Sequence, residues 1–499
     1  MPGAWTPERI RTAEQQLFER VPEPVVMRRA AHAVSLHTAR LLSEAGRVSG
    51  RHATLLVGAG NNGGDALWAG AFLRKRGVGV TAVLLAPEKA HPAGLEALRR
   101  AGGRIAPAEG ERADEAGIGA EAVDAVERAD VVIDGIVGLS ARGPLRPVAA
   151  ELVARVAAPV VAVDLPSGLD PITGRAEGDA VTADVTVTFG GRKPCHVLDA
   201  VHCGAVEEVD IGLDLGEPEI HLLEPEEIGQ HWPVPEPSDD KYSQGVVGVA
   251  AGSETFPGAA VLASGAAVSS TSGMVRYAGP AADVVRSHWP EVVATGSIAD
   301  AGRVQSWAVG PGIGTGTSGR EVLRHVLESG LPVCGDADSI TLLAEDPSLW
   351  DARDPETPLV LTPHEGEFAR LAGDFGSDRV GAAREVAQRH DVVLLLKGNA
   401  TVVAAPDGRV LVNAQRHAWP ATAGSGDVLT GLIGALLASG VDPWLACGYA
   451  AHVHSLAARI AAFGGPGAAG AGAPTGASAL LAALPQAIRE VRGLAEVSA

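Results

Sequence analysis

The sequence predicts an α/β protein of two domains, each built around a mainly parallel sheet. Apolar β-like runs alternate with helical stretches in both halves of the chain, an order typical of parallel strands joined by helices. The chain has 499 residues, more than one hydrophobic core usually serves. One Gly-rich turn follows an early strand, and another begins a helix near the end. Two unrelated turns suited to phosphate groups indicate two fused catalytic domains.

The first half begins with a predicted pair of helices, at 7–19 and 23–45, ahead of the sheet. Five apolar runs then predict strands, and four helical stretches lie between them. Because the connections are helical, we expect a parallel sheet covered on both faces. The predicted strands are 53–57, 78–85, 131–134, 160–164 and 185–189, and the helices are 65–76, 93–101, 120–128 and 147–157.

A change of composition marks the boundary between the domains. Residues 217–245 are rich in proline and acidic residues, which is typical of a linker. We place the first domain at 1–220, the linker at 221–240 and the second domain at 241–499. The second half repeats the α/β pattern, with strands predicted at 246–251, 274–278, 306–309, 332–336, 359–361, 392–396 and 401–405.

The composition argues against several classes of function. A net charge of -20 disfavours nucleic acid or an anionic membrane as the main partner. The four cysteines form no CxxC pair, so neither a disulfide framework nor a zinc site is indicated. The start of the sequence lacks a signal-peptide pattern, and no apolar run is long enough to cross a membrane. A reducing, cytoplasmic location is therefore expected.

The first Gly-rich turn, Gly58-Ala-Gly-Asn-Asn-Gly-Gly-Asp65, joins a predicted strand to a helix. It formally matches G-x-G-x-x-G, the fingerprint of dinucleotide-binding redox enzymes. The acidic residue that such enzymes place at the end of the second strand is missing, because that strand ends in Ala86-Pro87. A hydride-transfer enzyme and a tight turn without a ligand are both alternatives to a functional site of another kind.

Two further loops follow the next apolar strands and carry polar side chains. Ligands of open α/β sheets bind outside the carboxyl ends of the strands, so these loops should meet the Gly-rich turn. Asn62, Asp134 and Ser167 would then form an all-oxygen cluster with a single carboxylate, which suits K⁺ better than zinc. Lys193 should lie at the same rim. Asp170 either belongs to this site or caps a turn.

The motifs GxGNNGGD, DxxxG and DxPSGxD, with a Phe-x-x-x-Lys-Pro turn, together resemble the YjeF N-terminal domain of the NAD(P)H-hydrate epimerases. The resemblance covers about residues 8–215 and implies a Rossmann-like three-layer fold with K⁺ held by Asn62, Asp134 and Ser167. Asp164, Asp170 and Lys193 are candidates for the proton transfers. This chain departs from the family at Ala66, where glycine is common, and in the turn at 138–141. The implied substrate contacts are Asn61, Asn62, Gly63, Gly64, Asp65, Gly138, Leu139, Ser140, Ala141, Arg142, Gly143, Pro144 and Asp164.

In the second half, Asp427 follows the Gly-rich turn that begins a helix. Backbone N–H groups and the helix dipole favour a phosphate at such a place, although a carboxylate would normally repel it. We therefore expect Asp427 to be the base that deprotonates a hydroxyl about to meet a phosphoryl group. Lys397, at the end of a predicted strand, is placed to meet a nucleotide phosphate.

Two patterns that resemble metal sites fail on spacing. His364-Glu-Gly-Glu lacks the second histidine of the H-E-x-x-H zinc motif. His452 and His454 form an HxH pair, but on a helix these two side chains face apart. Packing, and not metal binding, is the favoured interpretation of both histidines.

A longer set of motifs in the second half includes Lys241 before a Gly245 turn, Pro257-Gly-Ala, GPGIG, Asp336-Ala-Asp, Thr362-Pro-His-x-Gly-Glu, Lys-Gly and Gly-Ser-Gly-Asp. Over about residues 236–490 these resemble the ADP/ATP-dependent NAD(P)H-hydrate dehydratases of the ribokinase-like fold. The acidic residue often found near Gly476 is absent. The resemblance implies that the hydrate meets Ala259, Gly314, His364 and Asp427, and that ADP meets Lys397, Gly398, Asn399, Ala400, Thr401, Gly424, Ser425 and Gly426.

The two resemblances together predict a bifunctional metabolite-repair enzyme. It would interconvert the R and S forms of the hydrates NADHX and NADPHX and dehydrate the S form, converting ADP into AMP and phosphate. K⁺ is expected in the first domain and Mg²⁺ in the second, where it bridges nucleotide phosphates, and the enzyme is expected to form a homo-oligomer. The alternative is a ribokinase-like kinase of a small alcohol with a non-catalytic, ligand-binding first domain, and a scaffold for assembly is the third possibility.

Overall fold

The computed structural model describes residues 1–109, 118–140, 142–271, 273–465 and 470–498, without the side chains of 496–498. The chain divides into two compact units. The first comprises Gly3–Ile220, and the second comprises Met1–Pro2 together with His221–Ala499.

The first unit is a parallel sheet with helices on both faces. The two-residue strand β1 (Gly3–Ala4) lies outside this sheet. The strands of the sheet are β2 (His52–Val57), β3 (Gly79–Leu84), β4 (Arg104–Pro107), β5 (Val131–Gly135), β6 (Val160–Val163), β7 (Val185–Phe189) and β8 (Ala205–Val209). Its helices are α1 (Pro7–Phe18), α2 (Glu23–Glu44), α3 (Gly60–Lys75), α4 (Pro92–Arg100), α5 (Ala120–Glu127), α6 (Pro147–Ala154), α7 (Pro194–Leu198) and α8 (Ala200–Cys203).

The strand order of this sheet is β4-β3-β2-β5-β6-β7-β8, and each neighbouring pair is parallel. The chain runs outward from β2 in one direction and from β5 in the other, so the topological switch point lies between β2 and β5. Alternate residues of these strands enter different cores: Leu55 packs with α2–α4, and Leu56 with α5 and α6. The predicted Rossmann-like three-layer fold is confirmed.

The second unit carries the strands β9 (Ile220–His221), β10 (Val246–Ala250), β11 (Met274–Ala278), β12 (Val293–Thr295), β13 (Ser306–Val309), β14 (Val333–Gly335), β15 (Leu359–Leu361), β16 (Val393–Leu396), β17 (Ala400–Ala404) and β18 (Val410–Ala414). The helices are α9 (Pro225–His231), α10 (Pro257–Ser270), α11 (Ala282–His288), α12 (Thr317–Leu327), α13 (Asp338–Glu345), α14 (Glu365–Ala372), α15 (Arg379–His390), α16 (Ser425–Ala438), α17 (Pro443–Phe463) and α18 (Ala477–Ser498).

The sheet of the second unit runs β9-β18-β17-β16-β15-β14-β13-β10-β11-β12. The strands from β16 through β10 to β12 pair in parallel, and within the described residues only the hairpins β16–β17 and β17–β18 of this run are antiparallel. The switch point lies between β10 and β13, where ligands of such sheets bind. The prediction of two α/β domains, the second ribokinase-like, is confirmed.

Helix α16 is the buried centre of the second unit, and its glycines allow close packing. A Cβ at Gly431 would lie 2.1 Å from the carbonyl oxygen of Ala263 in α10, and one at Gly434 would lie 2.8 Å from the Cβ of Ala308 in β13. Since the interior cannot absorb such overlaps cheaply, these glycines fix the position of α16. The N-terminus of α16 is thereby held where Asp427 begins its first turn.

The structure differs from the sequence-based expectation in three places. Strands β4, β8, β9, β12 and β18 were not expected. Of these, β4, β8 and β12 lie at sheet edges, where short or charge-containing strands lack a long apolar run. Segment 221–240, expected to be a linker, lies within the second unit, where Ile228 and Trp232 are buried in the core. Helix α3 begins at Gly60, five residues before the predicted start at 65, so Asn61–Asp65 occupy its first turns. Over the described part of the chain, no helix is both long and apolar enough to span a membrane.

Candidate active sites

In the first unit, the Gly-rich turn after β2 meets the loop after β5. A Cβ at Gly138 would lie 3.0 Å from the Oδ1 of Asn62, so glycine at 138 allows this close approach. Asn62 Nδ2 is buried without a hydrogen-bond partner. Ala66, where the family commonly has glycine, is fully buried and packs against Gly135. The departure at 66 therefore falls in the packing between α3 and β5.

Asp134 and Ser167 are joined by a dense set of hydrogen bonds at the ends of β5 and β6. The backbone N–H of Ser167 donates to Asp134 Oδ2 at 2.8 Å, and its hydroxyl donates to Oδ1 at 2.7 Å. Ile136 N–H also donates to Oδ1 at 3.1 Å. Burial raises the pKa of Asp134 to about 6 against the lowering effect of these bonds. The structure therefore brings two of the three predicted K⁺ ligands into contact, and Asn62 approaches the same loop.

Asp164 and Lys193 form a buried ion pair at the ends of β6 and β7. The Lys193 ammonium also donates to Thr188 Oγ1 at 2.8 Å and to the Phe189 carbonyl at 3.3 Å. Asp164 has a φ of 71°, which is uncommon for a residue other than glycine. Such backbone strain persists where surrounding contacts fix it, often at a functional site.

Asp65 and Glu14 add two more carboxyl groups to the surroundings of Asp164. Burial, followed by the charges of Asp164 and Glu14, raises the pKa of Asp65 well above its usual range, and its Oδ1 has no hydrogen-bond partner. Burial and then Asp164 also raise the pKa of Glu14. No motif pointed to Glu14, because its position depends on how α1 folds back onto the sheet.

Two residues of α1 contact the loop 138–144. Arg11 Nη2 donates to the carbonyl oxygen of Leu139 at 2.7 Å, and Leu139 packs against Ile10. Ser140, Arg142, Gly143 and Pro144 are exposed. Ala141, also expected to contact substrate, lies outside the described residues.

Asp170 lies in a turn that uses its carboxylate. Its Oδ1 accepts hydrogen bonds from the backbone N–H groups of Ile172 and Thr173 at 2.9 and 2.7 Å, and from the Thr173 hydroxyl at 3.1 Å. This geometry matches the turn-capping alternative raised from the sequence. The proton-transfer hypothesis for the first unit therefore concentrates on Asp164 and Lys193.

In the second unit, the second Gly-rich turn places Asp427 in the first turn of α16. Gly424 has a φ of 83° and its Cβ would lie 2.6 Å from Leu262 Cδ1, so the turn requires glycine there. Burial, followed by the charge of Asp336, raises the pKa of Asp427 to about 6, while Lys397 lowers it. A carboxylate with this pKa is mostly ionised at neutral pH and is suited to accept a proton.

Lys397 and Asp336 lie beneath that turn. The Lys397 ammonium is 2.8 Å from Asp336 Oδ1, and the Thr430 hydroxyl donates to Asp336 Oδ2 at 3.0 Å. Lys397 also lies 3.8 Å from Oε2 of Glu367, whose other oxygen is 3.4 Å from His364 Nε2. The fold brings these charged and polar groups together from separate elements. Asp336, Glu367 and Thr430 received no role from the sequence.

His364 caps α14 and is fixed by its backbone contacts. Its Nδ1 accepts from the N–H groups of Gly366 and Glu367 at 3.0 and 3.2 Å, while its own N–H donates to Glu367 Oε2 at 2.9 Å. Nε2 is therefore the ring atom left to face the cavity and Glu367. This tautomer makes His364 a hydrogen-bond donor toward a bound molecule.

The two remaining substrate residues predicted in this unit follow β10 and β13, the strands of the switch point. A Cβ at Gly312 would lie 3.5 Å from the Ala259 Cβ, so the GPGIG turn lies against the start of α10. Gly314 has a φ of 80°, and its N–H donates to Asp338 Oδ2 at 2.8 Å. Ala259 and Asp427 lie in the first turns of α10 and α16, His364 caps α14, and Gly314 lies in the loop after β13.

A cavity of about 420 Å³ opens beside the start of α16. Its wall includes most residues predicted to bind the nucleotide, whereas Ala400 is buried in β17. The residues of this set that line the cavity are Lys397, Gly398, Asn399, Thr401, Ser425 and Gly426. The predicted phosphate turn and lysine loop therefore share one cavity.

The packing interpretation of the two histidines on α17 agrees with the structure. Burial lowers the pKa of both His452 and His454 to about 4. His454 Nε2 lies 2.9 Å from the carbonyl oxygen of Ser425 and, as the donor, anchors the start of α16. Within the described residues, no group of three or more His, Cys, Asp or Glu side chains is arranged to hold a metal ion.

These two units define an α/β enzyme with a Rossmann-like domain followed by a ribokinase-like domain whose helix N-terminus, lysine and carboxylate suit phosphoryl chemistry. Family models match both parts: "YjeF-related protein N-terminus" covers residues 23–195, and "NAD(P)H-hydrate dehydratase" covers 247–465. A bifunctional NAD(P)H-hydrate repair enzyme of Mycobacterium leprae is 51% identical over 96% of this chain and 98% of its own length. The Mycobacterium tuberculosis enzyme of the same name is 52% identical over 87% and 88% of the two chains. The chain therefore belongs to the family of bifunctional NAD(P)H-hydrate repair enzymes.

A more distant relative shows the same relationship. The Escherichia coli member is 32% identical over 83% of this chain and 81% of its own. Among solved structures, the ADP/ATP-dependent NAD(P)H-hydrate dehydratase of Bacillus subtilis, co-crystallised with ATP/Mg²⁺, is 27% identical, with a TM-score of 0.48. That match covers 55% of this chain and 99% of the other.

Proposed function

We propose that this protein repairs hydrated NADH and NADPH. The first unit interconverts the R and S epimers, and the second dehydrates the S epimer while ADP is converted into AMP and phosphate. The observation that carries the dehydratase assignment is the position of Asp427, a base with a pKa raised to about 6, in the first turn of an anion-binding helix beside Lys397. Family membership supports this assignment over a small-alcohol kinase with a non-catalytic first domain.

Phosphorylation solves the chemical difficulty of dehydration. The hydrate carries a hydroxyl on its ring, and hydroxide is a poor leaving group. Asp427 accepts the proton of that hydroxyl while the hydroxyl oxygen takes the terminal phosphoryl group of ADP, and AMP leaves. Electron donation from the ring nitrogen then expels phosphate, and loss of a proton from the neighbouring ring carbon restores the dihydropyridine.

The moving phosphoryl group meets the N–H groups of Gly424, Ser425 and Gly426 in this proposal. These groups lie where the turn at Gly424 leads into α16, and the Ser425 N–H also donates to the carbonyl oxygen of Thr422 at 3.2 Å, so among the described residues Gly424 and Gly426 supply the unshared donors of the turn. Lys397 adds positive charge from directly beneath the turn, and Asp336 holds it in place. The developing charge is therefore stabilised by groups already in position.

Mg²⁺ would neutralise charge on the nucleotide phosphates. Asp336, the buried carboxylate beside Lys397, has both oxygens occupied, one by Lys397 and one by Thr430. Its donor set thus fits contact with the ion through water better than direct coordination, in keeping with the tendency of Mg²⁺ to retain waters. We propose that Mg²⁺ is held mainly by the phosphates.

In the first unit, the proposed epimerase uses Asp164 and Lys193 for proton transfers, with the substrate contacts inferred above. One structural observation supports the proposal that Asn62, Asp134 and Ser167 bind K⁺. Asp134 is a fully buried carboxylate that accepts hydrogen bonds from Ser167 and Ile136, and neither of these donors carries a positive charge. A monovalent cation held with the oxygens of Asn62 and Ser167 would supply that charge.

The decisive experiment mixes the full-length protein with an epimeric mixture of NADH hydrates and either ADP or ATP. Return of the reduced-nicotinamide absorbance is followed to completion. Complete conversion with ADP supports both activities, whereas a stop near the share of one epimer leaves only the dehydratase. A stable phosphorylated product would instead favour the small-alcohol kinase. Homo-oligomer formation and a cytoplasmic location stay predictions from the sequence.

A further inference from the structure

The cavity beside α16 has a second wall that the phosphate chemistry does not use. Gln415 and His417 follow β18 and line this wall. The Gln415 N–H donates to the carbonyl oxygen of Asn399 at 3.1 Å. The two side chains therefore lie directly beside the loop that carries Lys397.

Both side chains carry a buried atom with unmet hydrogen-bonding capacity. Neither Gln415 Oε1 nor His417 Nδ1 has a hydrogen-bond partner in another described residue. A buried polar atom without a partner is costly, so a bound molecule that supplies a hydrogen bond to it would be stabilised there. The same two residues also border an adjoining cavity of about 300 Å³, with His452 and Arg459.

His417 is neutral in this setting. Burial, followed by the charge of Arg459, lowers its pKa, against a smaller raising effect of its own backbone. A neutral imidazole can donate from one ring nitrogen and accept at the other. Gln415 Oε1 is an acceptor, so together the two residues offer both kinds of hydrogen bond to one partner.

The remaining lining separates charged from apolar parts. Lys397 and the N–H of Gly426 lie where phosphates are proposed to bind, whereas Leu429, Ala451 and Pro420 add apolar surface. A nucleotide matches this division, with an anionic end, a flat ring and polar atoms on the ring edge. Adenine in particular presents an amino donor next to ring-nitrogen acceptors.

We propose that Gln415 and His417 recognise the base of the bound nucleotide, with Gln415 Oε1 accepting a hydrogen bond from the exocyclic amino group of adenine. This inference rests on the proposed nucleotide-dependent dehydratase and assigns its base specificity. A hypoxanthine base has a carbonyl oxygen in place of that amino group. That carbonyl oxygen and Gln415 Oε1 are both acceptors, so no hydrogen bond would form and Gln415 would stay unpaired. Polar sites reject molecules of nearly the same shape in this way.

Equilibrium binding of ADP and of inosine diphosphate to the full-length protein, measured by calorimetry, tests this proposal. We expect the wild-type protein to prefer ADP, and Gln415→Leu to weaken ADP binding by about 10-fold to 100-fold while changing inosine diphosphate far less. Gln415→Glu keeps an acceptor and should keep the preference. Gln388→Leu, at an exposed glutamine of α15, is the matched control and should change neither affinity.

Thermal melting of each variant separates misfolding from lost recognition, and His417→Ala provides a second test of the same wall. An ADP preference that is unchanged in folded Gln415→Leu and His417→Ala overturns the base assignment. Absence of binding of either nucleotide to the wild-type protein would defeat the nucleotide-dependent function itself, and the base assignment with it. Tight binding of ADP to the wild-type protein, together with an altered preference between ADP and inosine diphosphate in the variants, is consistent with that function and supports the recognition proposed here.

Discussion

The ammonium of Lys397 lies 2.8 Å from Oδ1 of Asp336, linking the end of β16 to the end of β14 across the intervening β15. Thr430, in the second turn of α16, donates to the other Asp336 oxygen at 3.0 Å. Asp336 therefore ties the lysine loop to the helix that carries Asp427. Burial raises the pKa of Asp427 most, Asp336 raises it further and Lys397 lowers it, so this ion pair adjusts the strength of the proposed base.

Replacing Asp427 with asparagine should reduce dehydration by roughly 10²-fold to 10⁴-fold, the usual contribution of a general base. ADP affinity should change little, since the proposed nucleotide contacts lie in other residues. Turnover assays measure the loss of dehydration, and calorimetry measures the affinity for ADP. The folded pKa of about 6 exceeds the ordinary value of 3.8, so ionised Asp427 opposes folding at neutral pH and Asp427→Asn should raise Tm. Retained turnover would refute the base assignment.

The pH dependence of dehydration should follow the ionisation of Asp427. The base form appears as pH rises through about 6, so kcat/KM should increase across that range and then level off. In Asp336→Asn the like charge is gone, the pKa of Asp427 falls, and the rise should move to lower pH. Asp338→Asn, two residues along, should leave the rise in place. A profile unmoved by Asp336→Asn would contradict the coupling.

Lys193→Met should remove epimerisation and spare dehydration. The change leaves the Asp164 carboxylate buried without its partner, which typically costs about 3–5 kcal/mol. With an epimeric hydrate mixture and excess ADP, recovery of reduced nicotinamide should stop near the share of the S epimer. Lys75→Met, at an exposed lysine of the same unit, should allow complete recovery. Complete recovery by folded Lys193→Met would exclude a catalytic role for this lysine.

Potassium should stabilise the first unit through Asp134. A cation that binds the folded state raises Tm according to its concentration relative to Kd. Melting curves at constant ionic strength in KCl and in tetramethylammonium chloride should differ for the wild-type protein, with KCl giving the higher Tm. Asp134→Asn removes the charge proposed to hold the ion, so its two curves should coincide. Equal wild-type curves would count against the K⁺ site.

Gly426→Ala should separate stability from nucleotide affinity. Alanine is favoured over glycine in a helix by about 1 kcal/mol, but a Cβ here would lie 3.2 Å from Asp336 Oδ2 and 3.4 Å from Lys397 Nζ. We expect ADP binding to weaken by about 10-fold, as for a loss of roughly 1.4 kcal/mol. Gly493→Ala, in α18 with open space around its Cβ, should gain stability without a change in affinity. Unchanged ADP binding in Gly426→Ala would place the phosphates elsewhere.

Much of the fold could be predicted from the sequence because buried parallel strands consist of long apolar runs. All five strands predicted in the first half correspond to observed strands, and β7 matches residue for residue. The edge strands were missed, since a strand that is partly exposed keeps charged residues, as β8 does at Glu207 and Glu208. The proline-rich segment 221–240 misled because composition cannot reveal that Trp232 packs into a core.

The sequence by itself determined the two-domain α/β class and the two Gly-rich turns, and it singled out Asp427 as a candidate base, because glycine spacing and strand periodicity are local properties of the chain. Only the tertiary structure decided which side chains meet. Asp336 and Lys397 are separated by 60 intervening residues yet share a hydrogen bond, and Glu14 joins Asp65 and Asp164 only when α1 folds onto the sheet. Parallel strands bring their carboxyl ends to one edge, so burial and charge at that edge, and hence the pKa of each acid, are set by the fold.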